Sequence, residues 1–358
     1  MTGWRYHLRG GSGALAAGRV SGYLVAALLM LMLAACGASA ETGEASRNPS
    51  PAQRHAAAPA AIATPPAPCG GAAAQTRASA AGFVARRIYG REVSSPEVRR
   101  DQRQVEGYRP LLSALASGNR SAVREAVTSL VFSHTHVVRL RVSQGGSLLA
   151  DVGGPFILAP VGGSLRFAGR TVGHYLLSVQ DDSGYAKLET RYIGYPLLMR
   201  QGPRRLPVEG TFSPGAVSIP DGGPVSWRGA SYHVFSFPAH AYPSGPLKVS
   251  MLVPPPPSST VPCATIRLAE LNRIAQRIWR RFTLVGGPVS GFVSTMGSLL
   301  GALSYVRSPS HQLSGATSPG PPRLPAAGTV RYRGASYDVF SFAATSGGAR
   351  VRVYQLVR

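Results

Sequence analysis

Apolar residues recur at helical spacing from Ser79 to Leu130. Phe83, Val84, Ile88 and Tyr89 share one face. Leu111, Leu112 and Leu115 continue the pattern, and Val123, Ala126, Val127 and Leu130 close it. Asn119 and Ser121 are candidate caps for the last of these helices. The period then changes from 3.6 to 2. Val137 to Val142 (VVRLRV) alternates and is β-branched, so it reads as the first strand, with His134 and His136 at its entrance as a structural pair rather than a metal site. Gln144-Gly145-Gly146 turns the chain into a second strand over Leu148 to Asp151. Phe156 to Gly173 then supplies a short apolar strand and a turn, with Arg166 and Arg170 beside it.

The segment from Gly173 to Met199 organises this part of the chain. His174 to Val179 and Tyr185 to Ile193 flank Gln180-Asp181-Asp182-Ser183-Gly184, a polar group with turn chemistry. The expectation is a β-hairpin with a bulge near Ala186, because residues 185, 188, 190 and 192 break a strict two-residue period. On such a hairpin Tyr175, Tyr185 and Tyr192 would line a sheet face, with Arg191 or Arg166 as a cationic anchor for a ligand. The order SVQDD-x-GY, followed by a basic and aromatic run ending at Gly194, resembles extracellular Cache-type sensor domains, in a form found in exported proteins of high-GC bacteria. The resemblance covers residues 78–254. It implies an α+β fold with long N-terminal helices packed on a central antiparallel sheet, and a small-molecule pocket on one face of that sheet. The arginine-tyrosine-aspartate pattern of the amino-acid-binding members does not recur here.

An internal repeat follows. Val225 to Phe237 (VSWRGASYHVFSF) returns 105 residues later as Val330 to Phe342 (VRYRGASYDVFSF), and the ten positions from Arg228/Arg333 differ only at His233/Asp338. Each copy continues into another strand, Leu247 to Val253 and Arg350 to Val357. Ala85-Arg86-Arg87-Ile88-Tyr89 is echoed by Ala275-Gln276-Arg277-Ile278-Trp279. The repeat predicts a helix-plus-hairpin module present twice, with residues 255–358 as a second, abbreviated copy. Between the copies, Leu284 to Val306 carries no charge and is long enough to span a bilayer, but it is rich in Gly, Ser and Thr. A span there would put two nearly identical hairpins on opposite sides of a membrane, so one compartment is the simpler expectation.

The N-terminus reads as a targeting segment. Arg5, Arg9 and Arg19 precede the apolar run Tyr23 to Leu33, which ends in Leu33-Ala34-Ala35-Cys36-Gly37. This is the pattern of a lipobox, so residues 1–35 are expected to be a lipoprotein signal peptide, with Cys36 lipidated and seated in the outer face of the cell membrane. Residues 36–77 are mostly Ala, Pro, Ser, Thr and Gly and read as a disordered tether. With Cys36 acylated, Cys69 and Cys263 remain as an even pair in an oxidising compartment. A disulfide is then the natural expectation, and two free thiols the alternative.

Composition narrows function mainly by exclusion. The 358 residues carry a net charge of +23 from 38 basic and 15 acidic side chains, and only Lys187 and Lys248 are lysines. An exported basic chain suits anionic lipid or envelope polymer better than nucleic acid. The sequence contains no nucleophile elbow, HExxH or phosphate-binding glycine loop, and Asp181 and Asp182 are adjacent and cannot pair as acid and base. No enzyme, metal or cofactor is therefore expected. Two readings remain. One is a sensor or substrate-capture module, which would show an enclosed pocket with converging polar groups and pass its signal to a membrane or envelope protein. The other is a structural or assembly lipoprotein that binds envelope polymer or a protein partner through a diffuse basic face.

Overall fold

The computed structural model describes residues 66–358, apart from 134–136, 155–156, 202–203, 206–211, 216, 243–244, 285, 287, 311 and 318. The signal segment, Cys36, most of the tether and the His134/His136 pair lie outside the described residues. The fold is α+β and follows from a duplication. In the first copy, the long helix α1 (Ala73–Ser94) is followed by α2 (Pro96–Gly107), α3 (Arg109–Ala116) and α4 (Arg120–Ser133). Strands β1 (Arg139–Gln144), β2 (Ser147–Gly153), β3 (Ile157–Leu158), β4 (Val161–Phe167), β5 (Arg170–Ser178) and β6 (Gln180–Asp181) come next. The copy ends with the short helix α5 (Asp182–Tyr192), β7 (Leu197–Gln201), β8 (Arg204–Arg205), β9 (Gly222–Trp227), β10 (Ala230–Tyr242) and β11 (Gly245–Val253). The second copy has the long helix α6 (Cys263–Leu284), the short helix α7 (Val289–Leu300) and strands β12 (Leu303–Arg307), β13 (Leu313–Gly315), β14 (Ala327–Tyr332), β15 (Ala335–Ser346) and β16 (Ala349–Val357).

The two copies have the same plan. One sheet runs β8-β7-β11-β10-β9, with β3 and β6 added beyond β10, and the other runs β13-β12-β16-β15-β14. Strand by strand these orders are equivalent, and each sheet is preceded by its short helix and, further back, its long helix. What the second copy lacks is the segment between long and short helices. In the first copy this segment forms α2, α3, α4 and a separate antiparallel sheet, β2-β1-β5-β4. That inserted unit has its own core, in which Leu111, Leu115 and Val127 of the helices meet Leu140, Val142, Leu165 and Leu177 of the strands.

Equivalent contacts recur in both copies. Tyr89 of α1 accepts a hydrogen bond from the His240 amide on β10, and Trp279 of α6 donates to the Thr345 carbonyl on β15. Arg77 donates to the Pro254 carbonyl after β11, and Arg267 to the Arg358 carbonyl after β16. A third pair crosses between copies. Arg87 of α1 donates to the Ser298 carbonyl at the end of α7 (3.0 Å), and Arg277 of α6 donates to the Thr190 carbonyl at the end of α5 (2.8 Å). Each guanidinium covers orphan carbonyls at a helix C-terminus, where a cation is favoured. Beside each lies a glycine in the left-handed region, Gly301 (φ 63°) and Gly194 (φ 80°), positions where a side chain would be strained and, at Gly194, would strike the Arg277 guanidinium. Reciprocal contacts of this kind are the signature of a two-fold relation. The copies are therefore joined about a pseudo-two-fold axis, with α1 and α6 against each other.

One core spans both copies, so neither is a free-standing domain. Ala81, Val84, Ala85 and Ile88 of α1, Leu271, Ile274, Ala275 and Ile278 of α6, Phe237 and Val249 of one sheet, and Phe342 and Val353 of the other all belong to it. Burying each large aliphatic side chain contributes about 1.5–3 kcal/mol. Neither long helix has an acidic first turn and α1 has no side-chain cap, so this packing, rather than local propensity, holds them.

Several expectations change at this level. The helix begins at Ala73, inside the stretch assigned to the tether, because alanine is a strong helix former once packing supplies a buried face. Phe83, placed on the apolar face by its spacing, is 41% exposed and lies under the Arg87 guanidinium. The uncharged run 284–306 folds into α7 and β12. Phe292, Met296, Leu299 and Leu300 face the shared core, and no helix among the described residues is long and apolar enough to cross a membrane. The largest correction concerns residues 182–192, which form α5 and not the second arm of a hairpin. The side chain of Asp181 accepts from the Gly184 amide as an N-cap, so the polar group read as a turn is a helix start. Tyr185, Leu188 and Tyr192 recur at intervals of three and four. The break in alternation near Ala186 is the helical period and not a bulge.

Candidate functional site

The residues expected to line one ligand face are dispersed by this fold. Tyr175 sits on β5 in the core of the inserted unit, 4% exposed, its hydroxyl donating to Glu106 and accepting from Gln102. Arg166 is exposed on β4. Arg191 is exposed and Tyr192 half-buried on α5. Tyr185 is fully buried, where it donates to Glu189 one turn along the same helix (2.8 Å). These side chains do not converge, and the sheet face that was to gather Tyr175, Tyr185, Tyr192 and Arg191 is absent because three of the four are helical.

Glu189 is notable in its own right. One oxygen accepts from Tyr185 and the other has no hydrogen-bond partner among the described residues. Burial pushes its carboxyl up to about 8, only partly offset by the tyrosine bond. An acid whose folded value lies above its unfolded one gives full stability below the unfolded value and loses it as pH rises through the folded one. Stability should therefore fall by about 1.4 kcal/mol per pH unit between the ordinary glutamate value and about 8 from this group. Glu189→Gln should remove that slope. Urea unfolding of both proteins from pH 4 to 8 measures it, and parallel curves would refute the assignment.

The most organised polar cluster lies instead where α1 meets α6. Glu270 of α6 is 2% exposed and accepts from four directions. Arg77 of α1 donates through Nε (2.9 Å), Arg273 through Nη2 (2.6 Å) and Nε (3.1 Å), and the Tyr195 hydroxyl lies 2.9 and 3.0 Å from its two oxygens. The Tyr195 ring packs under both guanidinium groups, at 4.4 Å from Arg273 and 5.8 Å from Arg77. Burial alone would raise the Glu270 carboxyl, but Arg273 and then Arg77 outweigh it and hold it below the ordinary value. Tyr195 is pushed up to about 12 by burial, with the Glu270 carboxylate adding to the effect. The cluster is thus a carboxylate between two cations, one positive charge in excess.

A groove of about 350 Å³ opens beside it. Its walls are apolar, from Pro256, Pro257, Val261, Ile266 and Ala269, and its polar end is Arg77, Glu270 and Arg273. The run Pro254 to Pro257 has carbonyls but no amide hydrogens, and Arg77 Nη1 satisfies two of those carbonyls, Pro254 (3.2 Å) and Pro255 (2.8 Å). The Cys69–Cys263 disulfide closes the same region, with Cα atoms 4.7 Å apart. The amides of Cys69 and Gly70 bond the carbonyls of Val261 and Ser259, which fixes the wall further. The duplication supplies a control. At the positions equivalent to Glu270, Arg273 and Tyr195, the other copy has Ala80, Phe83 and Ala302, so the scaffold is kept without this cluster. A feature the fold does without in one copy is a better candidate for function than one it repeats.

The sequence carries one signal for this site. Ile266, Glu270, Ile274 and Ile278 follow at intervals of four on the buried face of α6, and Glu270 is the one acid among five arginines in that helix. A lone charge on an apolar stripe requires partners.

No family model matches the chain, and no curated protein matches it. Among solved structures, it is similar to the ligand-binding domain of the amino acid chemoreceptor PctC of Pseudomonas aeruginosa PAO1 in complex with GABA. The identity is 12%, over 76% of this chain and 100% of that one, with a TM-score of 0.14. It is also similar to the periplasmic domain of Vibrio cholerae LuxQ, at 10% identity over 79% of this chain and 95% of that one, with a TM-score of 0.12. At such TM-scores neither neighbour carries an argument about fold or ligand.

Proposed function

We propose that this chain is an extracytoplasmic binding module, held to the membrane by lipid on Cys36, that captures or senses a small molecule in the groove between α1 and α6. The observation that supports this most is the juxtaposition of a preformed apolar groove with two guanidinium groups at one end. Small-molecule sites typically combine apolar walls with a few fixed polar groups. The ligand class that fits is an amphipathic anion. Its apolar body lies along Pro256, Pro257 and Ala269, and its carboxylate or similar head takes the remaining N–H groups of Arg273 and Arg77. Glu270 is held ionised by its two arginines, so it is suited to orienting them and not to exchanging protons with a ligand. The sequence resemblance to Cache-type sensors supports the class of function, and a membrane or envelope protein would then read the occupied state.

A thermal-shift screen of the protein against carboxylates of graded apolar length tests the reading. The side chain of Ala269 is exposed on the groove wall, so Ala269→Trp fills the site without touching the charge cluster. A compound that raises the melting temperature of the wild type should fail on this variant. At a hundredfold excess over its Kd such a ligand stabilises by about 2.7 kcal/mol. Equal shifts in both proteins would place binding elsewhere.

A further inference from the structure

The two copies have diverged over most of their length but not at one exposed place. Helices α1 and α6, aligned at an offset of 190, share six of 22 positions. The strands from Pro246 and from Arg350 share three of eight. The hairpins β9–β10 and β14–β15 share nine of the ten positions from Arg228 and Arg333 onward. Buried residues such as Phe237 and Phe342 account for part of that identity, but the turns themselves are solvent-exposed.

Each turn carries an arginine in the left-handed region followed by glycine: Arg228 (φ 51°) with Gly229 (φ 76°), and Arg333 (φ 48°) with Gly334 (φ 77°). Arginine is a poor choice for that conformation, which favours Gly, Asn or Asp in a two-residue hairpin turn. Another hairpin, β4–β5, makes the same turn with Ala168 (φ 48°) and Gly169 (φ 78°), so the geometry does not demand a guanidinium. Both arginines also stack on the aromatic residue before them, Arg228 at 4.7 Å from the Trp227 ring and Arg333 at 5.3 Å from the Tyr332 ring. The rings are themselves pinned, Trp227 Nε1 donating to the Ser213 carbonyl (3.0 Å) and the Tyr332 hydroxyl to the Pro319 carbonyl (2.7 Å). Each tip thus presents a pre-oriented cation on a fixed platform, with its fork of N–H groups free of any acidic partner among the described salt bridges.

We infer that the two tips are paired anchor points for a linear polyanion bearing phosphate groups, a site separate from the groove between α1 and α6. Stacked guanidinium groups match phosphate oxygens in a bidentate manner. A chain long enough to reach from one tip to the other would engage both, which a small anion cannot. The large net charge of +23 draws such a chain toward the protein, and the tips give it a place to dock.

The test uses the full-length protein in detergent, with long-chain inorganic polyphosphate and tripolyphosphate as probes. Arg228→Gly and Arg333→Gly remove the guanidinium while placing at each position the residue that its φ favours, so folding is preserved or improved. Each single variant should lose about tenfold or more in affinity for the long chain, because bivalent attachment is broken, while tripolyphosphate loses only one of two weak sites. The charge-matched control Arg100→Ala, at an exposed α2 position, should weaken long-chain binding by less than about twofold. Ala269→Trp should leave polyphosphate binding unchanged, which separates this site from the groove. Equal losses in tip and control variants would mean diffuse attraction and would overturn the inference, as would wild-type affinity in both glycine variants.

Discussion

Replacing Cys69 and Cys263 together by serine is expected to lower the stability of the protein by about 5 kcal/mol. The bridge joins residues 194 apart, so the closed loop contains the whole first copy, including the inserted unit. Chain entropy released in the unfolded state grows with the logarithm of that length, which puts the effect at the upper end for a single disulfide. In the folded state the bridge ties the approach to α1 to the first residue of α6, the two helices whose packing joins the copies. It also holds Val261, one wall of the groove, through the backbone bond from Cys69. The double variant should therefore lose ligand affinity along with stability. Equilibrium urea unfolding of oxidised wild type and the double variant, compared at equal m, measures the first effect. A difference under about 1 kcal/mol would mean that residual structure in the unfolded chain already closes the loop.

The second large effect is expected at Glu270. Glu270→Ala leaves Arg77 and Arg273 partly buried without their shared carboxylate and the Tyr195 hydroxyl without its acceptor. Removing one member of a buried ion pair costs about 3–5 kcal/mol, and the partial exposure of the two arginines places this case near 3. The pH dependence has a definite sign. The folded carboxyl titrates below its unfolded value, so the contribution is present above the ordinary glutamate range and is lost as pH falls through the lower folded value. Wild type should therefore lose stability on acidification more steeply than Glu270→Gln, opposite to the slope expected from Glu189. Matching acid limbs for wild type and Glu270→Gln would show that the arginines do not depend on this charge.

What could be read from the chain divides along physical lines. The repeat was legible because VSWRGASYHVFSF and VRYRGASYDVFSF preserve strand and turn chemistry together, and both form the expected hairpins with the expected third strand. Helices over residues 79–130 were legible from their period. The segment 182–192 differs from the expected strand because Asp181-Asp182-Ser183-Gly184 serves turns and helix caps equally well, and because Tyr185, Thr190 and Tyr192 favour strands in isolation. Tertiary burial of Tyr185 and Glu189 decides it. The cluster at Glu270 was hidden for a different reason. Arg273 lies three residues from Glu270 on α6, but Arg77 and Tyr195 reach the carboxylate only through tertiary packing. Sequence spacing could offer Arg273 as a helical neighbour of Glu270, but not Arg77 or Tyr195.

In the proposed function, the groove beside this cluster holds the ligand. Hydrogen–deuterium exchange of the protein with and without the strongest stabilising compound tests it most directly. New protection is expected only in the segment from Pro254 to Arg273 and in the first turns of α1 around Arg77. Protection centred on β4 and β5, on α5 around Arg191, or on the hairpin tips at Arg228 and Arg333 would contradict it.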